Sequence, residues 1–205
     1  MSYPRHIQSV ISHFTRLPGI GPRTAARLVF SLMQKPIKDI EDFSSALQQL
    51  SQQIKRCSTC GNFSEGDPCA ICSDSRRNRS LVCIVSKPQD IEAIEKAHTY
   101  DGIYHLLSGT INALEDAGPE EIGIGQLLRR LQREPITEVI VALNPDVPGE
   151  TTMLYIKKAV EHLNQERQTP PLKISRLARG LPMGADVEYA DEITLENAIK
   201  ERREL

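Results

Sequence analysis

Apolar residues recur every three or four positions over residues 4–16, where Ile7, Val10, Ile11 and Phe14 share one side, and this spacing predicts an amphipathic helix. Pro22 opens a second such run, with Ala25, Ala26, Leu28, Val29, Leu32 and Met33, and Pro36 ends it. Proline suits a first helical position because the N–H it lacks would be unpaired there. A third run, about 41–55, carries Phe43, Ala46, Leu47, Leu50 and Ile54 as its apolar face. From residue 80 the period changes. LVCIV (81–85), IYHLL (103–107), ITEVIVAL (136–143) and LKISRLA (172–178) read as strands. Helical stretches at 89–97, at LLRRLQR and at 150–166 fall between them. Such alternation predicts a mainly parallel sheet with helices on its faces. The tail begins GLPMGADVEYADE and closes as a charged helix, with Tyr189 and Leu195 expected to anchor it. The pattern therefore predicts a multi-module α+β chain: a helical unit at 1–55, a small module at 56–79, an α/β domain at 80–178 and a tail at 179–205.

Composition narrows the class. The 205 residues hold 25 Lys+Arg, 27 Asp+Glu and 40% hydrophobic residues, for a formal net charge of −2, as ordinary globular chains do. No run approaches the ~18–20 apolar residues of a membrane span. MSYPRHIQ offers no apolar signal-peptide stretch, so a cytoplasmic protein without a membrane role is expected. The charge is uneven: residues 1–80 carry a net +5 and residues 81–205 a net −7. A basic first part suits a polyanion, and the acidic part suits something else, such as protein partners.

Four of the five cysteines form C-x2-C-x8-C-x2-C at Cys57, Cys60, Cys69 and Cys72. Two CxxC pairs in one short stretch of a cytosolic chain predict a tetrahedral zinc site rather than disulfides or a redox dithiol. Gly61 and Gly66, with Asp67 and Pro68, supply the turns that aim both pairs at one metal. Phe63 and Ile71 are nearly its only bulky apolar residues, so metal ligation has to stand in for a core. Four sulfurs leave no open coordination position, and one Zn²⁺ per chain would be structural. Cys83, inside LVCIV, reads as a buried strand residue.

Two further motifs carry chemistry. LPGIGPRTAARL (17–28) joins the first two helices through a G-I-G hairpin. Gly19 and Gly21 let another backbone approach, and the start of the second helix offers unpaired N–H donors that favour a phosphate. Arg23 and Arg27, four residues apart, share one face. The run resembles a helix-hairpin-helix motif, which binds the DNA backbone without reading sequence. A strand ending in Asn144-Pro145-Asp146-Val147-Pro148-Gly149-Glu150, followed by a helix, resembles the Toprim domain of topoisomerases, primases and related nucleases. Those enzymes hold Mg²⁺ with an Asp-x-Asp-x-Glu-Gly run and a Glu after the first strand. Here Asn144, Pro148 and Ser86 stand at three acidic positions, leaving Asp146 and Glu150 for a partner contact or a weakly held Mg²⁺. Among the remaining polar groups, Arg176 and Arg179 face either DNA or the acids at 186–192, and no histidine has ligand spacing.

The order of LPGIGPRTAARL, the two CxxC pairs, VCIVSKPQD, GIYHLLSG, TEVIVALNP…GETT and ARGLPMGADVEYADEITL resembles the bacterial RecR family of recombination mediators over essentially the whole chain. The last block matches the family's Walker B-like C-terminal signature. The resemblance implies a non-enzymatic, nucleoid-associated DNA-binding protein that assembles as a ring tetramer or a dimer. It implies RecO, and RecF beside it, as partners in loading RecA onto single-stranded DNA. It also implies Arg23 and Arg27 as the basic hairpin positions and the four cysteines as zinc ligands. Two other readings compete: a Mg²⁺-dependent Toprim nuclease or topoisomerase-like enzyme, and a zinc-stapled scaffold that binds only protein. The missing acids at 86, 144 and 148 weigh against the first, and the basic hairpin weighs against the second.

Overall fold

Prolines fix where the first three helices begin. Pro4 and Pro36 are the N-caps of α1 (Arg5–Phe14) and α3 (Ile37–Gln53), and Pro22 is the first residue of α2 (Pro22–Met33). The third helix therefore starts four residues earlier than its apolar stripe suggests, and Lys55 and Arg56 leave it for a strand. This computed structural model describes residues 3–112, 114, 116–167 and 170–202, and the chain divides into two compact units, 1–54 and 55–205. In the first unit α1 packs on α2, whose Ala25 and Val29 are buried, and Tyr3 meets Phe30 edge-on at 5.2 Å. The α3 helix buries none of its side chains, so the apolar face of Phe43, Leu47 and Leu50 stays open within one chain.

The second unit opens with a short antiparallel hairpin, β1 (Lys55–Arg56) and β2 (Phe63–Ser64), followed by the short helix α4 (Ala70–Ser73). A four-stranded sheet follows: β3 (Asn78–Val85), β4 (Gly102–Leu106), β5 (Glu138–Val141) and β6 (Lys173–Arg176). Its order is β4-β3-β5-β6 and every pairing is parallel, with Cys83 opposite Tyr104 on one side and Ile140 on the other. The connecting helices are α5 (Pro88–Lys96), α6 (Ile124–Arg133) and α7 (Val147–Glu166). A 3-10 turn (Val187–Tyr189) and α8 (Glu192–Lys200) form the tail. Among the described residues no helix is long and apolar enough to cross a membrane.

Side chains alternate across the sheet, so each face has its own core. Val82, Ile84, Ile103, Val139 and Val141 pack with Leu127 and Leu131 of α6 and Ile156 and Val160 of α7. Burying each such side chain contributes about 1.5–3 kcal/mol. Cys83, Val85, Tyr104 and Leu106 face the other way, against Ile91 of α5 and the partly buried Ile71 of α4. Burial pushes the Cys83 thiol up to about 12, and it behaves as a small hydrophobe. The metal-binding module thus shares its apolar residues with the sheet instead of standing alone.

The sheet's topological switch lies between β3 and β5, whose carboxyl ends bring Ser86 and Asn144 to the position where open α/β sheets bind ligands. The helix α7 begins at Val147, three residues earlier than its apolar pattern suggests, because Asp146 caps it by accepting the Gly149 N–H at 2.8 Å. Gly149 sits so close to the loop that a Cβ there would lie 2.0 Å from the Asn144 carbonyl oxygen. Gly149→Ala should therefore destabilise the fold by about 3 kcal/mol, since backbone has to shift to admit it. A denaturant melt that leaves the midpoint unchanged would contradict this packing.

Candidate metal centre and nucleic-acid interface

The first CxxC pair sits in the turn between β1 and β2, and the second enters α4, with Cys69 as its N-cap. Gly61 takes a left-handed φ of +77°, and its N–H returns to the Cys57 carbonyl at 2.9 Å. The Cys69 N–H donates to the Cys57 Sγ at 3.3 Å, and Asp67 accepts from the Ser58 N–H (2.9 Å) and hydroxyl (2.8 Å). Those two donors hold the Asp67 carboxyl below the usual carboxylate range. All four Sγ atoms lie within 4.8 Å of one another and are buried, with Cys60 and Cys69 3.6 Å apart. A tetrahedron with Zn–S near ~2.3 Å has sulfurs just under ~4 Å apart, whereas a disulfide needs ~2.05 Å. The donor set fits one structural zinc ion. Hydrogen bonding from Cys72 lowers the Cys60 thiol to about 5, while Cys72 is pushed up by that hydrogen bond and by burial, and Cys69 chiefly by burial.

The hairpin between α1 and α2 turns tightly. Leu17 donates to the Phe14 carbonyl at 3.1 Å and Ile20 to the Leu17 carbonyl at 3.2 Å, which folds the chain back on itself. Gly19 holds a φ of +79°, a conformation that favours glycine. Gly21 is the N-cap of α2, where no side chain caps the helix and no acid stands in the first turn. Among the described residues, a Cβ at Gly21 would meet nothing within 4 Å. Arg23 and Arg27 are exposed, and among the described residues neither has an ion-pair or hydrogen-bond partner. Uncapped N–H groups, the positive end of a helix dipole and two unpaired guanidiniums give the start of α2 a positive potential.

The Toprim-like corner is different, because its carboxylates are already in use. Asp146 spends an oxygen on the α7 cap, and Glu150 forms an ion pair with Arg179 in a cleft of about 350 Å³ that Asn144 also lines. Arg176 pairs with Glu201, and the Arg179 N–H donates to the same carboxylate at 3.1 Å. These arginines therefore hold Glu150 and Glu201 rather than the acids at 186–192. Of those acids, Asp191 caps α8 through the Thr194 N–H at 2.9 Å, and Asp186 and Glu188 are exposed. Tyr189 does not anchor the tail within one chain: it is 80% exposed, and polar contacts to Glu201 do that work. Among the described residues the four cysteines are the only group of three or more ligand-type side chains close enough to hold a metal.

Sequence reasoning passes over one cluster. Arg129, Arg130 and Arg133 of α6, His105 of β4, and Ser58 and Thr59 of the metal-binding module line one cleft. The readable signal is IGQLLRRLQR, a helix with three arginines and no acid inside an acidic half. Burial and the nearby Arg130 lower the His105 imidazole to about 4, which keeps it neutral.

Comparison with known families matches four descriptions in chain order. Residues 7–51 match the RecR helix-hairpin-helix, 54–74 the RecR four-cysteine zinc finger domain, 80–178 the Toprim domain and 180–203 the RecR C-terminal region.

Proposed function

The chain belongs to the RecR family, and from that premise we propose that it is a non-catalytic mediator that grips DNA through the Gly19–Arg27 hairpin. Membership places it in recombinational DNA repair, with DNA binding, oligomer formation and a zinc finger as family properties. The finer reading adds partners. RecO, and with it RecF, would be met by the acidic second half, and the assembly would help load RecA onto single-stranded DNA. A ring tetramer or dimer would repeat the hairpin, so that several weak contacts act together.

The observation that carries this reading is the open, uncapped start of α2 beside two unpaired arginines. Contacts of that kind go to phosphates and fix position without reading bases. Against a nuclease or topoisomerase reading stand Ser86, Asn144 and Pro148 at the acidic positions, the capping duty of Asp146 and the Arg179 partner of Glu150. Metal-assisted phosphoryl transfer uses carboxylates free to hold the ion against the reacting oxygens. Labelled single- and double-stranded DNA incubated with the protein and Mg²⁺ should give shifted bands and no cleaved ones. Mg²⁺-dependent nicking that disappears in Asp146→Ala would overturn the non-catalytic reading.

A further inference from the structure

The cleft between the zinc module and α6 has arginines on its α6 wall and Ser58 and Thr59 on the other. On α6, Arg130 is committed: its Nε donates to Glu134 Oε1 at 2.9 Å and its Nη1 to the Tyr104 carbonyl at 2.6 Å. Arg129 and Arg133 are exposed, and among the described residues they have no acid and no acceptor. The Ser58 hydroxyl on the zinc side is spent on Asp67, whereas among the described residues no partner takes the hydroxyl of Thr59. The floor is His105, only 3% exposed, whose Nδ1 is sealed from solvent and has no hydrogen-bond partner among the described residues. Buried nitrogens are rarely left unpaired, and a neutral imidazole with Nδ1 as the unprotonated nitrogen leaves no donor orphaned there. A proton on Nε2 would keep the imidazole's donor away from that sealed corner.

We propose that this cleft of about 330 Å³ is a second nucleic-acid contact, in which Arg129, Arg133 and Thr59 hold phosphate oxygens of a DNA strand above His105. This rests on the reading of the chain as a DNA-binding protein, but not on the hairpin as the place where DNA binds. Two features favour a strand over a free phosphate ion. The cleft continues past Arg129 into a neighbouring groove that reaches Arg56 and that Glu120 and Glu121 also line. The Arg56 guanidinium lies 4.8 Å from the centre of the Phe63 ring, and that ring is half exposed. Arg56 covers one face of that ring and donates to the Gly61 carbonyl at 3.3 Å, so the groove offers a line of arginines with a half-exposed ring beside it, the kind of surface that follows a nucleic-acid backbone.

The test uses the full-length, zinc-loaded protein and fluorescent oligonucleotides of mixed sequence over a chloride series. Arg129→Ala with Arg133→Ala should weaken binding equally for different sequences. The slope of log affinity on log salt should fall by about 1.5, since each phosphate that is no longer neutralised takes ~0.7–0.9 off it. The Lys/Lys pair should restore most of that slope. His105 imidazole resonances should shift on adding oligonucleotide to the wild type and stay still in the Ala/Ala variant. An unchanged slope in Ala/Ala overturns the proposal and leaves the hairpin reading intact. If Arg23→Ala with Arg27→Ala keeps full affinity while Ala/Ala at 129 and 133 does not, the hairpin reading fails and this one stands. Inorganic phosphate at matched ionic strength is the second arm. If it shifts His105 as far as the strand does while Ala/Ala leaves strand affinity unchanged, the cleft takes a free ion and the proposal fails.

Discussion

Arg23→Ala combined with Arg27→Ala should abolish DNA retention while leaving zinc content and assembly intact. Both side chains are exposed and unpartnered among the described residues, so their removal should move stability by no more than ~0.5 kcal/mol. The effect on a bound strand is another matter. A hydrogen bond to a charged group is worth about 1.5–3 kcal/mol, and the lower end suits an exposed site. Removing two comes to roughly 3 kcal/mol, or ~100-fold per hairpin. An oligomer multiplies that deficit, because every copy of the hairpin carries it. The remaining N–H groups ahead of α2 can still meet a phosphate, but without mobile charge to draw it in. Retention of a labelled oligonucleotide at fixed salt measures the effect, with zinc content and mass in solution as controls. Undiminished retention would move the DNA site elsewhere.

Cys60→Ser should strip the zinc ion and unfold the module around it. Structural zinc in small modules contributes about 10–16 kcal/mol of apparent binding free energy, and little else holds this one together. Besides the four sulfurs, its core has only the partly buried Ile71. Freshly purified wild-type protein should contain one zinc per chain by elemental analysis, and the variant close to none. The buried residues of both cores lie beyond residue 74, with only the partly buried Ile71 of the module packed against the second, so circular dichroism should retain the signal of the α/β unit while soluble yield falls. Clearly substoichiometric zinc in the wild type, or full zinc in the variant, would refute the assignment.

What could be read directly from the chain was whatever depends on neighbours in sequence. Paired cysteines two residues apart, glycines flanking an isoleucine and a proline opening a helix each fix their own geometry, so zinc ligands and hairpin were legible. The parallel sheet was legible for the same reason, since alternating strand and helix patterns leave few topologies. The boundaries were less so. Asp146 looked like a surviving Toprim acid, because nothing in the run N-P-D-V-P-G-E says that its oxygen will be used to cap α7. Glu150 meets an arginine 29 residues away, and Arg176 an acid 25 residues away, across elements whose packing the pattern does not set. Thr59, His105 and Arg133 come from three separate elements, so their cleft exists only in the fold. Averaging charge over residues 81–205 also hid α6, whose three arginines form a basic island in an acidic half. Tyr189 reads as a tail anchor and Phe43, Leu47 and Leu50 as the apolar face of the third helix, yet a single chain leaves them open.

The seat of the zinc module on β4 has one more consequence. As the outermost strand on its side of the sheet, β4 has no strand neighbour there among the described residues, and a strand edge of that kind invites pairing with another copy. The Leu106 N–H is taken by the Cys60 carbonyl at 2.7 Å, and Gly61 is tucked so closely that a Cβ would lie 2.8 Å from the Leu106 oxygen. The knuckle is therefore a guard on the sheet's margin as well as a ligand shell. Oxidation or chelation that frees the cysteines would bare that margin, and the damage would spread from one protein molecule to its neighbours as aggregation.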